Sequence, residues 1–231
     1  MTGLGTLVNV GAIIGGGLLG YLVKKGIPEG IKSTVMQGLG LAILFIGMKM
    51  AFKTENELIL IGSLALGGIT GELLRLEDQL DRLGRWLENK VGSGEGGIAK
   101  AFVTSSLIYC VGAMAVMGSI QDGLTGQTDT LFAKAMLDGI SSIVFASTLG
   151  IGVVFSAVPV FIYQGAITLA AASIKGFLSP HVVAEMTAAG GLLIVGIGIN
   201  ILGLKNIRVG NLLPAIFYAV LITLAVDKFM A

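Results

Sequence analysis

The chain has 231 residues, 54% of them hydrophobic and 13% charged, and a mean hydropathy of +0.91 that excludes an ordinary soluble globule. A formal net charge of +1, with no basic cluster interleaved with aromatics, gives no footing for a nucleic-acid partner. The single cysteine, Cys110, supplies neither a disulfide framework nor a multi-cysteine metal site and reads as a small buried hydrophobe. What remains is an all-α, polytopic membrane bundle. Its 36 glycines, against 10 phenylalanines and 1 tryptophan, suit helices that approach through small faces.

A hydrocarbon core of roughly 30 Å is crossed by about 20 apolar helical residues. Stretches of that order fall at 3–23, 33–52, 57–74, 100–118, 131–148, 150–173, 183–203 and 209–226. The first, MTGLGTLVNVGAIIGGGLLGYLV, has no positive segment ahead of its apolar run and reads as a retained span rather than a cleaved signal. After the third span comes LEDQLDRLGRWLENKVG, residues 76–92, with Leu76, Leu80, Leu83, Leu87 and Val91 at helical spacing and charges on the other side. This predicts an amphipathic helix on the cytoplasmic interface, with Trp86 at headgroup depth, or else a docking helix. GSGEGG at 92–97 then acts as a tether. A single helix over 131–173 would run about 65 Å, twice the hydrocarbon thickness, so the chain turns near TLGIG. Two full spans fit, and so does one span with a re-entrant segment, giving seven or eight crossings.

With eight spans, the loops after the first, third and seventh hold Lys24, Lys25, Lys32, Arg75, Arg82, Arg85, Lys90, Lys100, Lys205 and Arg208, against Lys53, Lys134, Lys175 and Lys228 opposite. The positive-inside bias places the first set in the cytoplasm and both termini outside. Seven spans exchange two lysines for Lys205 and Arg208 and keep the same ratio. A faint repeat is also present. GLGTLVNV at 3–10 is similar to GIGVVFSA at 150–157, and GLGLAILFIGMKM at 38–50 to AGGLLIVGIGINI at 189–201, so that Gly40, Leu41, Ile43, Ile46 and Gly47 meet Gly191, Leu192, Ile194, Ile197 and Gly198. Eight spans make the repeat inverted and seven make it parallel. The expected organisation is one membrane domain over 1–231: a first repeat 1–74, the interfacial helix 76–92, a central hairpin 100–148 and a second repeat 150–231.

Polar groups inside spans cost roughly 2.5–3.5 kcal/mol each on insertion scales when charged, and face a cavity or a partner. The set here is Asn9, Gln37, Lys49, Glu72, Asp122, Lys134, Asp138, Gln164, Glu185 and Asn200. Asp138 follows Lys134 by one helical turn and reads either as half of an ion pair or as a carboxylate on a solute or cation path. Asp122, followed by Gly123, reads as a turn after the fourth span, with a role as gate or pair as the alternative. In SAVPVFIYQG, Pro159 frees a carbonyl that could join Ser156, Tyr163 and Gln164 around a ligand, or makes a plain kink. Asn9 and Asn200 read as interhelical hydrogen-bond glue or as site residues. Glu185 reads as a helix cap or as facing a solute entrance, and His181 as a solvated loop residue. No Walker sequence, paired His-Glu metal motif or nucleophile elbow occurs, so neither an enzyme nor a cofactor is expected.

The strings GELLRLEDQLDRLGRWLE, FVTSSLIYCVGAMAVMGSIQDGL, KAMLDGISSIVFASTLGIGVVFSAVPVFIYQG and EMTAAGGLLIVGIGINILGLKNIRVGNLLPA resemble a prokaryotic membrane family, domain of unknown function 554, across essentially the whole chain. The resemblance implies an integral membrane protein, of a kind sometimes labelled a transporter, and carries no substrate. The expectation is a secondary transporter or permease for a small solute or ion in a bacterial cytoplasmic membrane. Asp138, Gln164, Ser156, Asn200 and Asn9 would line its midplane site, with Tyr163 as gate and Lys134, Asp122 and Glu185 as pair or gate residues. An ion channel and a structural or regulatory protein recruiting a partner through 76–92 are the alternatives. Partners are the bilayer, the solute or ion, and a second copy in a homodimer.

Overall fold

In a computed structural model the described residues are 2–24, 28–80, 82, 86, 97–110, 113–174 and 178–230; they are mostly helical and contain no strand. The elements are α1 (Leu4–Lys24), α2 (Glu29–Ala51), α3 (Glu57–Leu74), α4 (Ile98–Cys110), α5 (Ala113–Thr125), α6 (Asp129–Leu149), α7 (Gly152–Phe155), α8 (Ala157–Ile174), α9 (Pro180–Ile201), a 3-10 turn (Val209–Leu212) and α10 (Ala215–Met230). Six stretches are long and apolar enough to cross a bilayer: Leu4–Val23, Glu57–Leu74, Asp129–Leu149, Gly152–Ser173, Pro180–Ile201 and Val209–Phe229. The pair α4 and α5, bent by 58°, makes a seventh if it counts as one span, and α2 carries a shorter apolar stretch, Met36–Ala51. The interfacial helix expected at 76–92 lies mostly outside the described residues; Leu76–Leu80 are helical and Trp86 is exposed.

The burial pattern is that of a protein solvated by lipid. Leu22, Phe52, Leu58, Leu73, Leu169, Phe217 and Phe229 face outward, whereas Asn9, Ser119, Asp122, Lys134, Asp138, Gln164 and Glu185 lie inside. Water would reward the opposite distribution, and a hydrocarbon solvent rewards this one, because polar groups then find partners only within the bundle.

The chain divides into two compact units, residues 1–33 with 81–175, and residues 34–80 with 176–231. Each unit therefore gathers helices from two separate stretches of the sequence rather than one repeat apiece.

The first unit is built around α1 and α6. These run parallel: Gly5 lies against Leu131, Ala12 against Gly139, Gly16 against Gly139 and Ser142, and Gly20 against Ile143. Ala12, Gly16 and Gly20 form one stripe of small residues at four-residue spacing, which lets the two backbones approach closely. α6 ends at Gly150, whose φ of 93° and amide bond to Ala146 O stop the helix in the TLGIG segment. The following span is broken again, between α7 and α8 at Ser156, whose Oγ donates to Val153 O at 2.6 Å. Pro159 was expected to kink a span interior; instead it falls in the first turn of α8, where a missing N–H removes no intrahelical bond.

The second unit pairs α2 with α9, and α3 with α10. α2 and α9 run antiparallel. Gly47 meets Val195 and Gly191, Gly198 meets Leu44, Gly191 meets Ala51 and Met50, and Gly40 meets Leu202 and Ile201. α3 and α10 are antiparallel as well: Gly71 lies against Asn211 and Gly67 against Ala215, and Thr70 Oγ1 lies 2.9 Å from the Tyr218 hydroxyl. Asn56 caps α3, accepting from Leu58 N at 3.0 Å. Ser179 caps α9, accepting from Val182 N at 3.2 Å, with Pro180 in the first turn. His181, expected in a loop, is thus on the first turn of α9.

Candidate functional site

In the first unit, α6 presents Lys134, Asp138 and Ser142 at successive helical turns, a stripe about 12 Å long on its buried face. Lys134 Nζ donates to Asp138 Oδ1 at 2.9 Å and to Oδ2 at 2.7 Å. Asn9 of α1 donates from Nδ2 to Asp138 Oδ2 at 3.0 Å. The parallel packing of α1 on α6 sets this register, since Asn9 lies between the Gly5 and Ala12 contacts. One turn on, the Ser142 hydroxyl lies 2.8 Å from that of Tyr109 on α4, and the Tyr109 ring stacks on Phe145 at 6.1 Å between centroids. The charged pair is neutral as a unit, and its carboxylate accepts three hydrogen bonds from two side chains.

The first unit also holds buried polar atoms with no partner. Gln164 is fully buried on α8, and neither Nε2 nor Oε1 is bonded. The Asn9 Oδ1, Thr6 Oγ1, Ser119 Oγ and Thr168 Oγ1 are unpartnered too. They occupy α1, α5 and α8, which pack on one another. Tyr163, beside Gln164, is half-buried, and Ser156 is turned onto its own helix as described above.

Asp122 does more than punctuate a turn. It is fully buried on α5 and accepts from Gly3 N at 3.0 Å and Gly5 N at 3.2 Å. A carboxylate there satisfies two orphan donors at the start of α1 and meets the positive end of its dipole.

The second unit carries polar clusters that close on themselves, beside one buried hydroxyl, Thr187 Oγ1, that has no partner. Glu185, fully buried on α9, accepts from Thr54 Oγ1 at 2.7 Å, Glu55 N at 2.6 Å and Asn56 N at 3.0 Å. It therefore holds the turn that leads into α3 rather than capping its own helix. His181 Nδ1 lies 2.8 Å from Asp227 Oδ1, and its Nε2 lies 3.9 Å from Glu185 Oε1. Asn200 donates to Ile207 O at 2.8 Å and accepts from Ile207 N at 2.7 Å, clamping the loop after α9. At the other end of α3, Glu72 takes Arg208 at 2.9 Å and Asn211 Nδ2 at 2.6 Å. Of the two other intramembrane candidates, Gln37 and Lys49 are exposed on α2.

Of the residues expected around one midplane site, the first unit holds Asn9, Asp138, Lys134, Ser156, Tyr163 and Gln164, and the second holds Asn200 and Glu185. Sequence reading missed Thr6, Ser119 and Thr168. A signal for them exists: each lies one turn from a polar residue already singled out, Asn9, Asp122 and Gln164 respectively. Among the described residues no group of three His, Cys, Asp or Glu side chains is arranged to hold a metal.

A family model described as "Protein of unknown function (DUF554)" matches residues 4–224. The chain is 32% identical to "Uncharacterized membrane protein YdfK" of Bacillus subtilis (strain 168), over 97% of each chain. It is 30% identical to "Uncharacterized protein YqgA" of Escherichia coli (strain K12), over 99% of each. No solved structure matches the chain significantly.

Proposed function

The chain belongs to the DUF554 family of membrane proteins, and we propose that it is a secondary transporter or permease for a small polar solute or ion. One observation carries the reading: inside a lipid-solvated helix unit, a buried ion pair shares the bundle with buried polar atoms that have no partner. A bundle evolved only for stability would leave such groups out or bond them, since an unsatisfied buried polar group is destabilising by about 1–3 kcal/mol.

The proposed architecture is an inverted repeat of eight crossings. Its support is the exchange of contacts across the aligned segments 38–50 and 189–201. Under that alignment Gly47 on Val195 becomes Gly198 on Leu44, and Gly191 on Ala51 and Met50 becomes Gly40 on Leu202 and Ile201; all four contacts occur. Two antiparallel helices that trade places in this way are related by a two-fold axis perpendicular to both. If the helices stand across the bilayer, that axis lies in its plane.

Helix direction supports the same count. With α2 and α3 as full crossings, α1 and α6 run parallel only if the bent pair α4 and α5 makes one net crossing. The antiparallel packing of α2 on α9 demands the same parity. A re-entrant α4 and α5 would reverse both directions.

The transport reading is tested by thermal unfolding of the detergent-purified protein in the presence of sodium, potassium, chloride, phosphate and a panel of small metabolites. A concentration-dependent rise in Tm, absent in Asn9→Ala, supports it, because a ligand that binds only the folded state stabilises with its saturation. No rise with any compound, from protein that unfolds cooperatively, counts against it.

A further inference from the structure

The transport reading leaves open what the first unit binds, and the chemistry of its unpartnered atoms narrows this. We infer that α1, α5 and α8 enclose a binding site for a small uncharged solute that both donates and accepts hydrogen bonds, contacted by Gln164, Thr168, Ser119, Thr6 and Asn9. The inference rests on the transport reading and names its substrate class.

Two contacts bring these residues to similar depth. Asp122 of α5 is bonded to the first turn of α1, so Ser119, one turn back along α5, and Thr6, next to Gly5 on α1, both lie within a turn of that contact. Gly123 of α5 packs on the Thr168 carbonyl of α8, and Gln164 is one turn from Thr168. Gln164 is fully buried, and Thr6, Asn9, Ser119 and Thr168 are each at least nine-tenths buried.

Three formal charges border this interior. Lys134 and Asp138 neutralise each other at 2.7 Å, and the Asp122 carboxylate, one turn from Ser119, is already engaged by the Gly3 and Gly5 amides; no carboxylate or ammonium is among the unpartnered groups. Donor balance decides against an ion. A cation would engage the oxygens of Asn9, Gln164, Thr6, Ser119 and Thr168 and leave Gln164 Nε2 stranded, whereas an anion would take Nε2 and leave Asn9 Oδ1 and Gln164 Oε1 stranded. Only a ligand with both hydrogen-bonding senses satisfies the amide at both ends, as the hydroxyls, which can turn either way, permit. A site built to bond such groups also rejects an apolar analogue, because its own polar atoms would then stay unpaired.

The test uses the full-length protein in proteoliposomes, with glycerol, urea and ribose as uncharged probes and sodium, potassium and chloride as ionic ones. Solute entry is read by light scattering after an osmotic step, and ion entry by fluorescent indicators. The expected result is protein-dependent entry of at least one uncharged probe, reduced about tenfold or more by Gln164→Leu, the equivalent of one lost hydrogen bond. Thr168→Val, nearly isosteric, should reduce it as well. Without solute, Gln164→Leu should unfold at the same temperature as the parent or higher, since it removes two unpaired buried atoms; this separates lost binding from lost folding.

Ion entry that Gln164→Leu abolishes would overturn the uncharged class and leave the transport reading standing. Entry of an uncharged probe that neither substitution alters would overturn this site while transport stands. No entry of any probe, from folded protein shown to be inserted, would overturn both.

Discussion

At Asp138 a carboxylate accepts three hydrogen bonds, two from Lys134 and one from Asn9. Asp138→Asn would leave a buried ammonium without its countercharge, and a loss of about 3–5 kcal/mol is expected in reversible unfolding from detergent. The double substitution Lys134→Met with Asp138→Leu removes both charges together and should recover most of that loss, because paired charges in an apolar interior add little net stability over good packing. Under the transport reading the double variant is stable and inactive; a stable double variant that still moves solute would make the pair purely structural. Asp122 predicts a smaller effect of another kind. Asp122→Ala removes the acceptor for Gly3 N and Gly5 N, and a loss of about 0.5–2 kcal/mol, the range for a helix N-cap, is expected by the same measurement. No local pattern could have announced that role, since Asp122 lies 119 and 117 positions from the amides it binds. The Lys134 and Asp138 spacing, by contrast, is a one-turn relation that the sequence displays directly.

Between helices, the close approaches give a signed comparison within one element. Gly15 and Gly16 are neighbours on α1, but a Cβ on Gly15 meets nothing within 4 Å, while one on Gly16 would strike the Gly139 carbonyl. Gly15→Ala should therefore be neutral or stabilising by up to about 1 kcal/mol, from helix propensity alone. Gly16→Ala should be destabilising by about 1–3 kcal/mol, as overpacking is. Thermal unfolding of the two variants side by side checks this, and equal effects would mean that α1 does not pack on α6 through this stripe. The existence and approximate bounds of the spans were legible because lipid demands long apolar runs. The break in 150–173 was legible only to within a turn: Pro159 drew attention, yet the helix restarts just ahead of it, where a proline is harmless. For His181 the local signal was present, since Ser179 followed by Pro180 is an N-cap and first-turn pattern that places the histidine on a helix. The grouping of helices into two units was not legible, because periodicity within a span says nothing of which distant span covers its inner face.

At the scale of the whole chain, the proposed eight-crossing architecture requires that α4 and α5 together carry the polypeptide from one side of the membrane to the other. A seven-crossing chain, with that pair re-entrant, would put α6 antiparallel to α1 and α9 parallel to α2, against the contacts of Gly5, Gly16, Gly20, Gly47 and Gly191. Combined with the distribution of lysine and arginine, that proposal predicts both termini outside and the segment after α3 inside. The sole cysteine makes this testable, because Cys110→Ser yields a cysteine-free background. Single cysteines placed at Thr2, Glu95, Gln127 and Ala231 would then be exposed to a membrane-impermeant maleimide on intact cells. Eight crossings predict labelling at Thr2, Gln127 and Ala231, and protection at Glu95 until the cells are opened. The two counts agree on Thr2 and Glu95, where three crossings precede the bent pair, and diverge after it. If α4 and α5 turn back, Gln127 and Ala231 become the protected positions. That outcome would make the repeat parallel and remove the inverted architecture, while leaving the buried polar interior of the first unit to be explained by other means.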